Sequence, residues 1–302
     1  MKIGIDLGGT KTEIIALDEH NQILARRRVP TIRGDYPASV DNITELVRVT
    51  ERELQQSGSV GIGIPGAVSP DHGRIKNANS TWLIDQNLAG DLSQRLNRPI
   101  RIANDADCFV LSEAIDGAGR DGRTVFGVIL GTGVGGGIVV NKQLLGGPNA
   151  ICGEWGHNPL PWPNKDDEPQ SDCYCGLAGC IETYLSGPGF TQRFNNEHGQ
   201  RAANTQEIIE LALNNHSQAI HALTQYYNRL ARALASVINI LDPDIIVLGG
   251  GMSNIESLYE HIPNQWGHYV FSDQVNTRLR KNQHGDSSGV RGAAWLWGDA
   301  DY

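Results

Sequence analysis

Three cysteines crowd into the segment Cys-Tyr-Cys-Gly-Leu-Ala-Gly-Cys at 173–180, and His157 stands sixteen residues before the first of them. Together Cys173, Cys175, Cys180 and His157 make a Cys₃His set, a common donor set for a closed tetrahedral zinc site. The alternative is three reduced thiols that bind nothing. Four protein ligands would leave no open position for water, so such a metal would organise its loop and take no part in chemistry. Cys108 and Cys152 have no partners in this scheme and read as buried thiols. Five cysteines in a chain without an export signal do not describe a disulfide framework.

Glycine turns supply a second kind of chemistry. In "KIGIDLGGTKTEIIALD", residues 2–18, Gly8-Gly9-Thr10 interrupts two apolar strands, with Asp6 before the break and Lys11 after it. The motif returns at 124–145 as "TVFGVILGTGVGGGIVVNKQLL", with Thr132 and Gly133 in the turn. Each turn offers unhindered backbone N–H groups and a threonine hydroxyl, the makings of an anion-binding nest. A plain hairpin is the competing reading for either turn alone. "GTGVGGG" also contains G-x-G-x-x-G, but that fingerprint should open a helix, and strand pattern follows it here. A third turn, Gly249-Gly250-Gly251, follows the buried strand "DIIVL", where a flat adenine or ribose could lie against bare backbone. Asp6 is placed to hold Mg²⁺ through water, and Lys11 adds charge.

"ANDAD" at 103–107 follows a strand and precedes a helix. Asn104 and Asp105 there are either a helix cap or, with Asp105 as general base, the acceptor of a proton from a hydroxyl attacking phosphorus. "GEWGHNPL" contributes Glu154 and His157, "CIETYLSG" contributes Glu182, and "NANSTW" contributes Asn79.

These residues need a scaffold, and the chain provides one. Its 302 residues suffice for two domains. Strand and helix patterns alternate throughout, so the class is α/β. Helical spacing marks the stretch from Tyr36 to Gly58, then 88–97, 107–119, 205–240, 254–262 and the C-terminal "GVRGAAWLW". Two strand–glycine turn–strand units about 125 residues apart suggest a duplicated domain with a cleft between copies. The expected boundaries are 1–115 plus 288–302 for the first domain and 116–287 for the second, with an excursion at about 157–180. A net charge of −9 argues against a nucleic-acid surface, and the one basic run, "RRR" at 26–28, reads as a solvated strand end. No apolar run approaches the roughly 20 residues of a membrane helix. A strand beginning at Lys2 leaves no room for a signal peptide, so a cytoplasmic location is expected.

The glycine turns resemble the actin-like ATPase superfamily (ribonuclease H-like fold), and "DLGGTK" resembles its ROK family of repressors and sugar kinases. The resemblance covers essentially the full length. It implies MgATP and a hexose as substrates, with phosphate on the turns at Gly8, Gly9, Thr10, Lys11, Thr132 and Gly133 and the nucleoside at Gly249–Gly251. It further implies Asp105 as base, and sugar contacts from Asn79, Asn104, Asp105, Glu154, His157 and Glu182. Cys-x-Cys-Gly-x-x-Gly-Cys matches the family's zinc segment. Members are often dimers, so a homodimer is also implied. More narrowly, "KNANSTWL", "GEWGHNPLPW", "NILDPDIIVLGGGMSN" and "HGDSSGVRGAAWLW" resemble the fructokinases of the family. That implies D-fructose, and mannose more weakly, phosphorylated at the 6-hydroxyl. A glucokinase or an N-acetylhexosamine kinase of the same family is the alternative. A sugar-sensing transcriptional regulator is the alternative from another class.

Overall fold

The computed structural model describes residues 1–78, 80–285 and 288–298. Strands run β1 Lys2–Leu7, β2 Lys11–Leu17, β3 Ile23–Pro30, β4 Ser59–Ile64, β5 Ala67–Val68, β6 Ile75–Lys76, β7 Ile100–Asn104, β8 Thr124–Leu130, β9 Val134–Val140, β10 Gln143–Leu144, β11 Ile245–Gly249 and β12 Arg278–Lys281. Helices are α1 Tyr36–Leu54, α2 Leu88–Leu96, α3 Asp105–Ile115, α4 Ile181–Leu185, α5 Gly187–His198, α6 Thr205–Leu213, α7 Ser217–Leu241, α8 Leu258–His261, α9 Pro263–Trp266 and α10 Ser288–Ala294. The chain divides into two compact units: residues 1–120, 137–152 and 283–302, and residues 121–136 and 153–282.

The first unit is built on a sheet of order β3-β2-β1-β4-β7. β1 is its middle strand, antiparallel to β2 and parallel to β4, so nearly every residue of it is buried, with Lys2 and Asp6 set among apolar residues and glycine. β3 is the edge strand and alternates in exposure. Its arginines are partly exposed and also paired: Arg26 and Arg28 converge on the buried Glu13 of β2, at 2.5 and 2.6 Å, and Arg27 pairs with Glu53. α1 opens on Asp35, whose carboxylate accepts from Ala38 N, and buries Val40, Ile43, Leu46 and Val47. It stops short of Gly58, because Gln55 turns left-handed (φ 52°) and closes the last turn onto Glu51 O.

α10 groups with this unit. It can lie on the sheet because Gly4 and Gly61 have no side chain. A Cβ on Gly4 would come within 2.1 Å of Val290 O, and one on Gly61 within 2.0 Å of Ala293 O. The buried Glu113 of α3 fixes the approach, accepting from Gln283 N, His284 N and Ser288 Oγ. Segment 137–152, expected in the second domain, groups with this unit instead. Gly137 lies within contact of Val110 and Ala106 of α3, and Lys142 Nζ donates to Ala114 O.

A second sheet has the order β10-β9-β8-β11-β12. In the second unit β11 pairs parallel with β8 and with β12. The 157–180 excursion is pinned by Asp167, a fully buried carboxylate held by Arg229 (2.9 Å) and Arg232 (2.9 and 3.0 Å) of α7 and by Asn164 N. The helix expected over 254–262 is broken: a 3₁₀ turn covers Gly251–Asn254, and helix resumes only in α8 and, after Pro263, in α9. No helix among the described residues is long and apolar enough to cross a membrane.

Candidate active site

The first glycine turn is held by its carbonyls. Gly8 O accepts from Thr31 Oγ1 at 2.7 Å, Gly9 O from Arg33 Nε at 2.6 Å, and Thr10 O from Thr31 N at 3.0 Å. Gly8 N closes the turn on Lys11 O at 3.1 Å. Each peptide is planar and trans, so a carbonyl pulled to one side turns the following N–H to the other. The N–H groups of Gly9, Thr10 and Lys11 therefore face away from the Thr31–Arg33 segment, as a phosphate cradle requires. Thr10 Oγ1 accepts from Arg33 Nη2 at 3.1 Å, which leaves its O–H free to donate. Lys11 is exposed at the start of β2. Neither Thr31 nor Arg33 was identifiable from sequence as part of this site.

Asp6 is the penultimate residue of β1, the strand that feeds the turn. Burial pushes its carboxyl up to about 6, reinforced by the charges of Asp105 and Glu13 and opposed by Lys11 and Arg28. Asp105 is exposed at the first position of α3, where β7 delivers it. Asn104 is the helix cap: its Oδ1 accepts from Ala106 N at 2.8 Å and its Nδ2 donates to Gly66 O at 3.1 Å. Asp105 Oδ1 accepts from the same Ala106 N at 2.8 Å, so both side chains engage the first turn of α3. The cap fixes α3, and Asp105 rides on it. Asn79 lies outside the described residues.

In the second unit the other two glycine turns meet. Gly250 has φ +80°, and a Cβ there would lie 2.4 Å from Leu130 O, so the third turn packs on the end of β8 only because it is glycine. Gly131 and Thr132 of the second turn and Gly251 of the third line a cavity of about 910 Å³, completed by residues of α5 and α6 such as Thr191, Asn195 and Thr205. Gly133, Gly249 and Gly250 are not among its lining residues. Glu182, expected on the sugar, engages the second turn: its carboxylate accepts from Val134 N at 2.8 Å. Gly187 N adds a bond to Gly131 O at 2.9 Å. Gly187-Pro188-Gly189 opens α5 behind a Ser186 cap.

Glu154 and His157 flank two anchoring residues. Trp155 is buried against Phe126 and donates Nε1–H to Gly135 O at 3.1 Å. A Cβ on Gly156 would lie 2.1 Å from Val134 O, so the segment lies directly on that strand. Glu154 is left exposed and His157 half-buried.

His157, Cys173, Cys175 and Cys180 come together with all four ligand atoms within 4.8 Å of one another. Cys173 Sγ is 3.6 Å from His157 Nδ1, and Cys175 Sγ is 3.6 Å from Cys180 Sγ. A tetrahedral zinc with ordinary bond lengths has edges of about 3.8 Å between sulfurs and about 3.6 Å between sulfur and nitrogen. The donor set and its spacing therefore fit zinc. Nε2 of His157 contacts Tyr174 Oη at 2.9 Å, the usual position of an outer partner for a ligating imidazole. Both ring nitrogens thus have partners within the loop. A sugar hydroxyl at Nε2 would have to share it with the phenol or displace it.

The ROK family pattern matches residues 2–300. The N-acetyl-D-glucosamine kinase of Yersinia enterocolitica is 41% identical over 300 residues, covering 98% of this chain and 99% of its own. The N-acetyl-D-glucosamine kinase of Photobacterium profundum is 38% identical with the same coverage. Among solved structures, the ROK hexokinase of Thermus thermophilus superposes with a TM-score of 0.87 at 28% identity, covering 98% of this chain and 97% of that one. By match to the family pattern and by these full-length relatives, the chain belongs to the ROK family and stands among its sugar kinases with the actin-like ATPase fold.

Proposed function

We propose that the protein transfers the γ-phosphoryl group of MgATP to a hydroxyl of N-acetylglucosamine. The observation that carries the acceptor is the full-length identity of about 40% to kinases named for that sugar. The carbonyl-tethered turn at 8–11 and the exposed Asp105 support the chemistry.

In this reading the Gly9, Thr10 and Lys11 amides and the turn at Thr132–Gly133 bind the phosphates, while the cavity at Gly131, Thr132 and Gly251 takes the nucleoside. Asp6 holds the magnesium of MgATP through water. A buried carboxyl held near 6 gains from a cation, because the cation offsets the desolvation that raised it. Asp105 accepts the proton of the attacking hydroxyl as its oxygen bonds to phosphorus and the bond to the ADP oxygen breaks. Glu154 and His157 receive sugar hydroxyls. Asn104 and Glu182 act chiefly through what they hold, α3 and the second turn. The Cys₃His set would bind Zn²⁺, which supplies no step of the transfer and fixes the loop that carries these groups.

Fructose is the second reading, favoured by the segments "KNANSTWL" and "GEWGHNPLPW". Release of ADP measured across N-acetylglucosamine, fructose, mannose, glucose and N-acetylmannosamine separates the two. The highest kcat/KM is expected with N-acetylglucosamine. A preference for fructose would transfer the assignment to the second reading, and no turnover with any sugar would sink both.

A further inference from the structure

We propose that Arg33 is a positioning residue for phosphoryl transfer, holding the first glycine turn in the cradle form that receives the terminal phosphate of ATP. The inference rests on the reading of the 8–11 turn as a phosphate site and goes beyond the residues assigned to it so far.

Arg33 lies in the short link between β3 and α1, with Thr31 two residues before it and the Asp35 cap two residues after. Both ends of the link are fixed. Thr31 is buried, donating Oγ1–H to Gly8 O and its backbone N–H to Thr10 O, and Asp35 anchors α1. The arginine between them is exposed, yet its guanidinium is docked on the turn at Gly9 O and Thr10 Oγ1. These contacts do two things. The bond to Gly9 O orients the Thr10 N–H away from the guanidinium, and the bond to Thr10 Oγ1 fills a lone pair, so the hydroxyl proton points elsewhere.

A guanidinium has five N–H donors. Two are engaged by the turn, and among the described residues no other partner takes the remaining three. No carboxylate neutralises the charge in that set, unlike Arg26, Arg27 and Arg28 on the preceding strand, each of which pairs with a glutamate. The planar fork is what allows simultaneous contact with a carbonyl and a hydroxyl; a lysine ammonium is a single point that spans them poorly. The position also agrees with the sequence "PTIRGDYP", in which Gly34 (φ +74°, no atom within reach of a Cβ) lets the link turn sharply after the arginine.

The test compares wild type, Arg33→Ala and Arg33→Lys in the full chain. Calorimetry measures ADP and a non-hydrolysable ATP analogue, each with Mg²⁺, and steady-state kinetics measures both KM values and kcat. We expect Arg33→Ala to weaken the analogue at least fivefold while ADP stays within twofold, and to lower kcat at least tenfold with the sugar KM within twofold. Arg33→Lys should recover less than half of either loss. Equal weakening of ADP and analogue with a lower unfolding temperature would reduce Arg33 to a support of the loop and overturn the proposal, as would unchanged kinetics and binding. Wild type without turnover on any hexose would instead sink the kinase reading, and the ADP-to-analogue comparison would still judge Arg33.

Discussion

Replacing Asp6 with asparagine should make the protein more stable and inactive at once. Burial, with Asp105 and Glu13 nearby, raises this carboxyl from its ordinary 3.8 to about 6. At 1.36 kcal/mol per unit, two units correspond to about 3 kcal/mol, an upper figure for what ionised Asp6 costs the folded chain at neutral pH. The sign follows from proton uptake. Between about pH 4 and 6 the folded chain holds a proton that the unfolded chain has lost, so folding grows weaker as pH rises through that window. Below it both states are protonated and the cost vanishes; above it the cost is full. Urea unfolding of wild type and Asp6→Asn in EDTA, at intervals from pH 4 to 7.5, measures the difference directly. The variant should lead by up to about 3 kcal/mol above pH 6.5, and the lead should shrink toward zero near pH 4. Added MgATP should stabilise wild type and leave the variant nearly unmoved. A variant no more stable than wild type at pH 7.5, or a lead that does not change with pH, would refute the reasoning.

Other outcomes follow from the same geometry. Asp105→Asn should keep the fold and sugar binding but lower kcat by about 10²–10⁴, the range for a lost general base; near-normal turnover would remove it from that role. Asp167→Ala leaves two buried guanidiniums facing each other and should cost about 3–5 kcal/mol in urea unfolding, and a change below about 1 kcal/mol would contradict the pinning of the excursion. Cys175→Ser should release one equivalent of zinc, read by metal analysis. It should raise KM for both substrates, since Glu182, which holds the second turn, follows Cys180 by two residues. A metal-free variant of full activity would refute the zinc assignment. Magnesium affinity should fall as pH drops through about 6, where Asp6 takes up its proton; titration at pH 5.5 and 7.5 decides it.

What could be read in the sequence was what lies contiguous in it. Gly8-Gly9-Thr10 declares a turn because it interrupts two apolar strand patterns, and the cysteine spacing declares a donor set that the fold then closes to 4.8 Å. The tethers of that turn were hidden, since Thr31 and Arg33 come from another connection and neither residue type marks a phosphate site. Asp167 with Arg229 and Arg232 is separated by more than sixty residues and looks like three ordinary surface charges until buried. β12, Arg-Leu-Arg-Lys, carries no strand pattern because it is an edge strand that takes its conformation from β11. Glu182 was legible as a functional carboxylate, but its bond to Val134 N depends on α4 and the second turn coming together. The preferred sugar was the least legible feature: short segments point to fructose, whereas full-length relatives point to N-acetylglucosamine.

The return of α10 to the first sheet has a consequence for the order of events during synthesis. Ile15 and Leu17 complete their packing against Val290 and Ala294, yet roughly 270 residues separate the two sides. A ribosome adding about 5–20 residues per second exposes the β-sheet long before it makes the helix that covers it. Residues 121–282 emerge in between, so one apolar face of the first unit waits about 8–30 s for its cover. Shortening the chain before Ser288 would make that interval permanent, and the damage should appear as aggregation of nascent protein before any loss of catalysis could be measured.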